Sequence, residues 1–220
     1  MLWFQIERLW NYWPILMKGL GMTISLSLLS LVAGMIVGLL FGLARTSRNR
    51  WLSGVCGLYI DLFRGTPFLV QVFICFFILP AVGIELSAFS AGVLALSNMA
   101  ACFIGEIVAA GIEAVPKGQD EAAIASGFTH WQKLRLIILP QALQIMRPTL
   151  VGQFILLVKD SSVVSAIGIM DLTRSGWMIV QNIPNGLLVF GVVGLGYLIV
   201  CYPMIYLSRR MERGTQSPIL

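Results

Sequence analysis

The chain has 220 residues, of which 58% are hydrophobic and only 11% charged, with a mean hydropathy of +0.87 and a net charge of +5. A soluble domain runs near a quarter charged, so this composition excludes one. It also excludes an outer-membrane barrel, which shows alternating segments of roughly ten residues rather than long apolar runs. What remains is an all-α, polytopic membrane protein.

In chain order, residues 2–17 place Trp3, Ile6, Leu9, Trp10, Trp13, Leu16 and Met17 at helical spacing among polar residues. Residues 1–18 are expected to form an amphipathic interfacial helix on the outer face. No basic n-region or small-residue cleavage site marks them as a signal peptide. A first span is predicted from about Leu20 to Leu43. Ser30, Gly34, Gly38 and Gly42 recur on it every four residues, a stripe that lets helix backbones approach closely. Trp51 to Phe63 reads as an amphipathic segment at the inner surface. Thr66 is then expected to cap a second span and Pro67 to open it, running to about Ile84. A third span covers about Ala88 to Glu113, a fourth about Thr149 to Met170, and a fifth about Leu187 to Leu207.

Basic residues gather in three groups: Arg45, Arg48, Arg50 and Arg64; Lys117, Lys133, Arg135 and Arg147; and Arg209, Arg210 and Arg213. The positive-inside rule sends all three to the cytoplasm, so no nucleic acid is needed to explain them. Five transmembrane helices starting outside then end inside. The expected organisation is one membrane domain over residues 19–208, with a cytoplasmic tail over 209–220.

The longest polar stretch, Glu121–Pro140, reads EAAIASGFTHWQKLRLIILP. Gln119 to Ser126 is a short Ala-rich helix candidate with acidic residues in its first turn, where the macrodipole favours them. Gly127 suits the left-handed position that stops it. Thr129 and Gln132 fit a capping box for a second helix, expected to run to about Leu139 and meet Pro140. A helix of eight residues is unstable alone in water. Held rigidly below the membrane, it offers a small face for a partner's cleft. Lys159-Asp160-Ser161-Ser162 interrupts the otherwise apolar fourth span. Charges at mid-bilayer cost from about 2.5 kcal/mol upward, so a broken helix or facing partners are required, with Glu106 a possible partner.

Four segments together carry a family resemblance: Phe63-Arg64-Gly65-Thr66-Pro67 with Val70-Gln71; Val115-Pro116-Lys117-Gly118-Gln119; the Glu121–Pro140 loop; and Val158-Lys159-Asp160-Ser161-Ser162 followed by Leu172-Thr173-Arg174. The chain resembles the polar amino acid permeases of bacterial ABC importers, of the histidine/glutamine type with an ABC transmembrane type-1 domain. The resemblance implies a multi-pass protein of the bacterial inner membrane that pairs with a second permease, a cytoplasmic ABC ATPase dimer and an extracytoplasmic substrate-binding protein. It implies that Glu121, Ala122, Ala123 and Gly127 couple to the ATPase. Glu106, Lys159, Asp160 and Ser161 are read as lining or gating the substrate pathway. Two positions depart from the family pattern: Phe103 stands where Tyr is frequent, and Ala109 where Arg is common.

No cofactor or metal is expected. Cys56, Cys75, Cys102 and Cys201 lack metal-type spacing, and His130 is the single histidine. An intramembrane enzyme would need a nucleophile with a base or a metal set, and neither is found. No G-x-x-x-x-G-K-[ST] occurs, so ATP hydrolysis falls to a separate subunit. A permease for another small polar solute, an ATP-independent channel or secondary transporter, and a purely anchoring subunit remain alternatives.

Overall fold

The computed structural model describes residues 2–215, with side chains described for residues 6–212. Residues 216–220 of the expected tail lie outside the described residues. Helix α1 spans Leu2–Trp10 and α2 spans Trp13–Arg45. The expected interfacial helix over residues 1–18 therefore ends eight residues early, since Trp13, Leu16 and Met17 belong to α2. Pro14 is the cause: it suits a first helical turn, but its ring would strike the carbonyl of Trp10 if α1 ran on. At 33 residues, α2 is roughly 50 Å long, well beyond the hydrocarbon thickness.

Asn49 caps α3 (Arg50–Arg64), its side chain accepting from the N–H groups of Trp51 and Leu52 at 3.1 and 3.4 Å. Trp51, Val55 and Leu58 are exposed on it, an apolar face suited to lipid. After Gly65–Pro67 the chain turns by 102° into α4 (Phe68–Phe73), a π-helical turn (Ile74–Ile78) and α5 (Leu79–Ala81). Pro67 precedes this helix rather than opening it, and no side chain caps it. The Thr66 hydroxyl instead donates back to the Phe63 carbonyl at 3.2 Å.

Ser87 caps α6 (Ala88–Glu113), its hydroxyl accepting from Ser90 N–H at 3.1 Å. Then come α7 (Lys117–Ala125), α8 (His130–Lys133), a second π-helical turn (Leu134–Ile138) and α9 (Leu139–Asp160). The second loop helix does not stop at Pro140 but runs straight into the fourth span. Both π turns end on Ile-Leu-Pro, at Ile78-Leu79-Pro80 and Ile138-Leu139-Pro140. A helical proline clashes with the carbonyl four residues back, and the extra residue of a π turn widens the helix at that point. Leu79 and Leu139 accordingly donate five residues back, to Ile74 and Leu134.

A 3-10 turn (Ser161–Ile167) closes α9, and Gly168, at φ +90°, reverses the chain into α10 (Leu172–Val180) and α11 (Gly186–Thr215). Helix α10 is absent from the expected elements. Asp171 caps it, and Leu172 N–H donates to Thr23 Oγ1 at 3.1 Å, fastening it to α2. Among the described residues, four helices are long and apolar enough to cross a membrane, and the bent pair α3 with α4–α5 makes a fifth.

The core is organised around α6. Ala95, Leu96, Met99, Ala100 and Ile104 pack with Leu26 of α2, Val72 of α4 and Ala142, Met146 and Leu157 of α9. The predicted small-residue stripe is the seam: Ser30, Gly34, Gly38 and Gly42 are all buried. A Cβ on Gly34 would come within 2.6 Å of Ala100 Cβ, and one on Gly38 within 2.7 Å of Ile104 Cβ. Gly21, on the same helix, has nothing within 4 Å. Gly38→Ala should therefore cost about 1–3 kcal/mol by overpacking, while Gly21→Ala should gain up to ~1 kcal/mol of helix propensity. Thermal unfolding of the purified protein reads both signs; equal shifts would contradict the seam.

Candidate functional site

The polar loop between α6 and α9 is built from its ends inward. Pro116, extended at ψ 133°, starts α7, and Asp120 occupies its first turn. Ser126 ends it, and Gly127 adopts φ +78° as predicted. Phe128 N–H donates to the Ala123 carbonyl at 3.1 Å and Gly127 N–H to the Ile124 carbonyl at 3.0 Å. That pair of bonds is a Schellman stop, which satisfies carbonyls the helix end leaves open. The capping box is also present: Thr129 N–H donates to Gln132 Oε1 at 2.9 Å, and Gln132 N–H to Thr129 Oγ1 at 3.4 Å.

Two side-chain contacts tie α7 back to the following span. Lys133, nearly fully buried, forms an ion pair with Asp120. Gln141 Nε2 donates to Gln119 Oε1 at 3.3 Å. An open cleft of about 930 Å³ separates the loop from the ends of α2 and α6, with Leu43, Arg48, Lys117 and Trp131 among its walls.

Glu121, Ala122 and Gly127 are exposed, whereas Ala123 faces inward and is only 2% exposed. Ala123 thus packs against the rest of the loop. Four apolar side chains missed in the sequence stand out of the loop instead: Ile124 at 55%, Phe128 at 37%, Trp131 at 71% and Leu136 at 59% exposure. Their signal was available, since each is a large apolar residue in the longest polar stretch.

The intramembrane charges are arranged differently from expectation. Glu106 Oε2 lies 3.1 Å from Arg45 Nη1 and 3.3 Å from Arg64 Nη1, and Arg45 reaches Asp61 Oδ1 at 3.3 Å. The Arg64 guanidinium also sits 5.4 Å from the Phe103 ring centroid, a cation–π distance. Glu106 is therefore partnered by α2 and α3, and no ion pair joins it to Lys159 among the described residues. Two of the arginines counted in the first basic group are consumed by this cluster. The expected break at Lys159-Asp160-Ser161 is present, because α9 ends at Asp160 and the tighter turn begins at Ser161. Lys159 is exposed and Asp160 half-buried. Ser161 is fully buried, its hydroxyl donating to the Val158 carbonyl at 2.7 Å, so it shapes the break rather than lining a surface.

A bundle of broken apolar helices joined by a capped polar loop is that of a multi-pass membrane protein. The model for binding-protein-dependent transport system inner membrane components matches residues 30–216, and the chain belongs to that family. It is 39% identical over 204 residues to the L-cystine transport system permease TcyB of Bacillus subtilis, covering 92% of this chain and 87% of that one. It is 34% identical over 212 residues to the glutamine transport system permease GlnP of Escherichia coli, covering 96% and 97%. Among solved structures it resembles an amino acid ABC transporter crystallised with histidines, at TM-score 0.87 and 34% identity, covering 94% of this chain and 96% of that one. A methionine ABC transporter in an inward-facing conformation matches at TM-score 0.79 and 25% identity, covering 94% and 98%.

The cluster geometry predicts the pattern of a double-mutant cycle. Glu106→Gln should cost between the ~1 kcal/mol of an exposed pair and the ~3–5 kcal/mol of a buried one, since these side chains are partly exposed. Thermal stability of Glu106→Gln with Arg64→Met should be non-additive, whereas Glu106→Gln with Lys159→Met should be additive. Coupling in the second cycle and none in the first would reverse the assignment.

Proposed function

We propose that this chain is the permease subunit of an ATP-driven importer that carries a polar amino acid across the bacterial inner membrane. It works with a second permease, a separate cytoplasmic ATPase dimer and an extracytoplasmic substrate-binding protein, with its N-terminus outside and its C-terminus inside. The observation that carries the reading is the loop: a stopped and capped helix, tied to the next span, with Glu121, Ile124, Phe128 and Trp131 presented outward. Exposed apolar and aromatic residues in a polar setting are what a docking cleft recognises.

The mechanism follows from how the loop is attached. It continues directly from α6, and the Asp120–Lys133 pair and the Gln119–Gln141 bond hold it to the start of the α8–α9 helix. Closure of an ATPase cleft around α7 would shift both spans as one rigid body. Helix α6 carries Glu106, and α9 ends at Lys159-Asp160. A zwitterionic amino acid presents one charge of each sign, and exposed Lys159 beside half-buried Asp160 offers the complementary pair. Ala122 and Gly127 allow close approach of the ATPase, and Ala123 keeps the helix seated on its own protein. The relatives named for L-cystine and glutamine transport support an amino acid as cargo.

The test is uptake into proteoliposomes holding the permease, its ATPase and its binding protein. Ile124→Asp should leave thermal stability unchanged and lower ATP-driven uptake by roughly tenfold or more, as expected for losing an interface anchor worth about 2 kcal/mol. Uptake that persists without ATP, or that ignores this substitution, contradicts the reading.

A further inference from the structure

We propose that Gln71 is a positioning residue of the transport pathway: its amide holds the sharp bend between α3 and α4 and thereby aims Arg64 at Glu106. The proposal rests on the importer reading above and deepens it.

The bend leaves a specific vacancy. In a continuing helix the carbonyl of Phe63 would accept from the N–H four residues on, but that residue is Pro67, which has none. Two side-chain donors take its place on the Phe63 carbonyl oxygen: the Thr66 hydroxyl at 3.2 Å and, more closely, Gln71 Nε2 at 2.7 Å. The same amide group lies 3.3 Å from the Thr66 carbonyl and 3.0 Å from Thr66 Oγ1. Two carbonyls on one side fix which end of the amide faces them, because only the NH2 group can donate.

One side chain from the second helix therefore spans the entire break, from the last turn of α3 to the residue before Pro67. Gln71 is only 3% exposed, so water does not compete for these bonds. Its Oε1 accepts nothing among the described residues. An amide placed here to serve packing alone would be better replaced by an apolar side chain, since an unmade buried acceptor is costly. The residue is held for its donor end.

Arg64 adjoins Phe63, the residue that Gln71 grips. From there its guanidinium reaches Glu106 at 3.3 Å and lies over the Phe103 ring. Gly65 N–H completes α3 by donating to the Asp61 carbonyl at 2.9 Å, and the Pro67 carbonyl starts α4 by accepting from Val70 N–H at 3.0 Å, so the bend itself falls at Thr66 between them. Without the clamp, only the Thr66 hydroxyl still grips the Phe63 carbonyl across the 102° bend, and the approach of Arg64 to α6 loosens.

The experiment uses the reconstituted complex of permease, ATPase and binding protein, with radiolabelled L-glutamine, L-cystine and L-arginine as probes. Two variants are compared: Gln71→Leu, and Gln71→Leu combined with Pro67→Ala, which returns a backbone N–H for the Phe63 carbonyl. The double variant should recover thermal stability and membrane level, yet its apparent KM should rise on the order of tenfold, the scale of one lost charge-assisted contact. Recovery of KM together with stability would overturn the proposal, as would an unchanged KM in Gln71→Leu. Failure of both variants to accumulate would also overturn it, assigning Gln71 to folding alone. If the unsubstituted complex shows no ATP-driven uptake of any probe, it is the importer reading that fails.

Discussion

The fold depends on how closely α2 and α6 can approach. In a lipid environment, tails are as apolar as leucine, so burying leucine between helices gains little. Contact must come from backbone surfaces meeting, and that requires residues without bulk. Gly34, Gly38 and Gly42 supply that surface along α2, against Ala100, Ile104 and Val108 of α6. With α6 seated there, it becomes the axis for the other spans. Its side chains gather α4 and α9 into the main core, its Glu106 collects Arg45 and Arg64, and its C-terminal end delivers the chain into the polar loop.

Proline sets a second constraint of the same kind. Each helical proline removes a backbone donor and crowds a carbonyl, and in lipid no water repairs the loss. Pro148 and Pro203 simply sit inside α9 and α11, but at four other prolines three distinct solutions occur. Pro14 opens α2, where its donor is not needed. Pro80 and Pro140 each follow a π-helical turn that makes room for the ring. Pro67 breaks the helix outright, and the Gln71 amide and Thr66 hydroxyl take over the lost bond. The last two devices fall in the bent span and at the foot of the fourth.

Much of this was legible in the residues. The bounds of α6, the small-residue stripe, the Gly127 stop and the Thr129–Gln132 capping box follow from local rules, and local rules suffice because those features are local. What was not legible is long-range. The partners of Glu106 are Arg45 and Arg64, distant in sequence, and an expectation based on the nearest intramembrane charges chose Lys159 instead. Ala123 could not be told from Ala122 until the face of α7 was known. Helix α10 was hidden because its capping Asp171 adjoins a span that had been extended to Met170. The continuation of α8 through Pro140 was hidden because proline is ordinarily a stop, and here a π turn precedes it and the helix runs on.

The central claim is that the outward side of α7 meets a separate ATPase while the inward side does not. Site-directed crosslinking in native membranes tests it most directly, after replacing Cys56, Cys75, Cys102 and Cys201 with alanine. Ile124→Cys, at a position 55% exposed, should form an adduct with the ATPase, and Ala123→Cys, at a position 2% exposed, should not. An adduct from Ala123→Cys with none from Ile124→Cys, or none from either, would contradict the account.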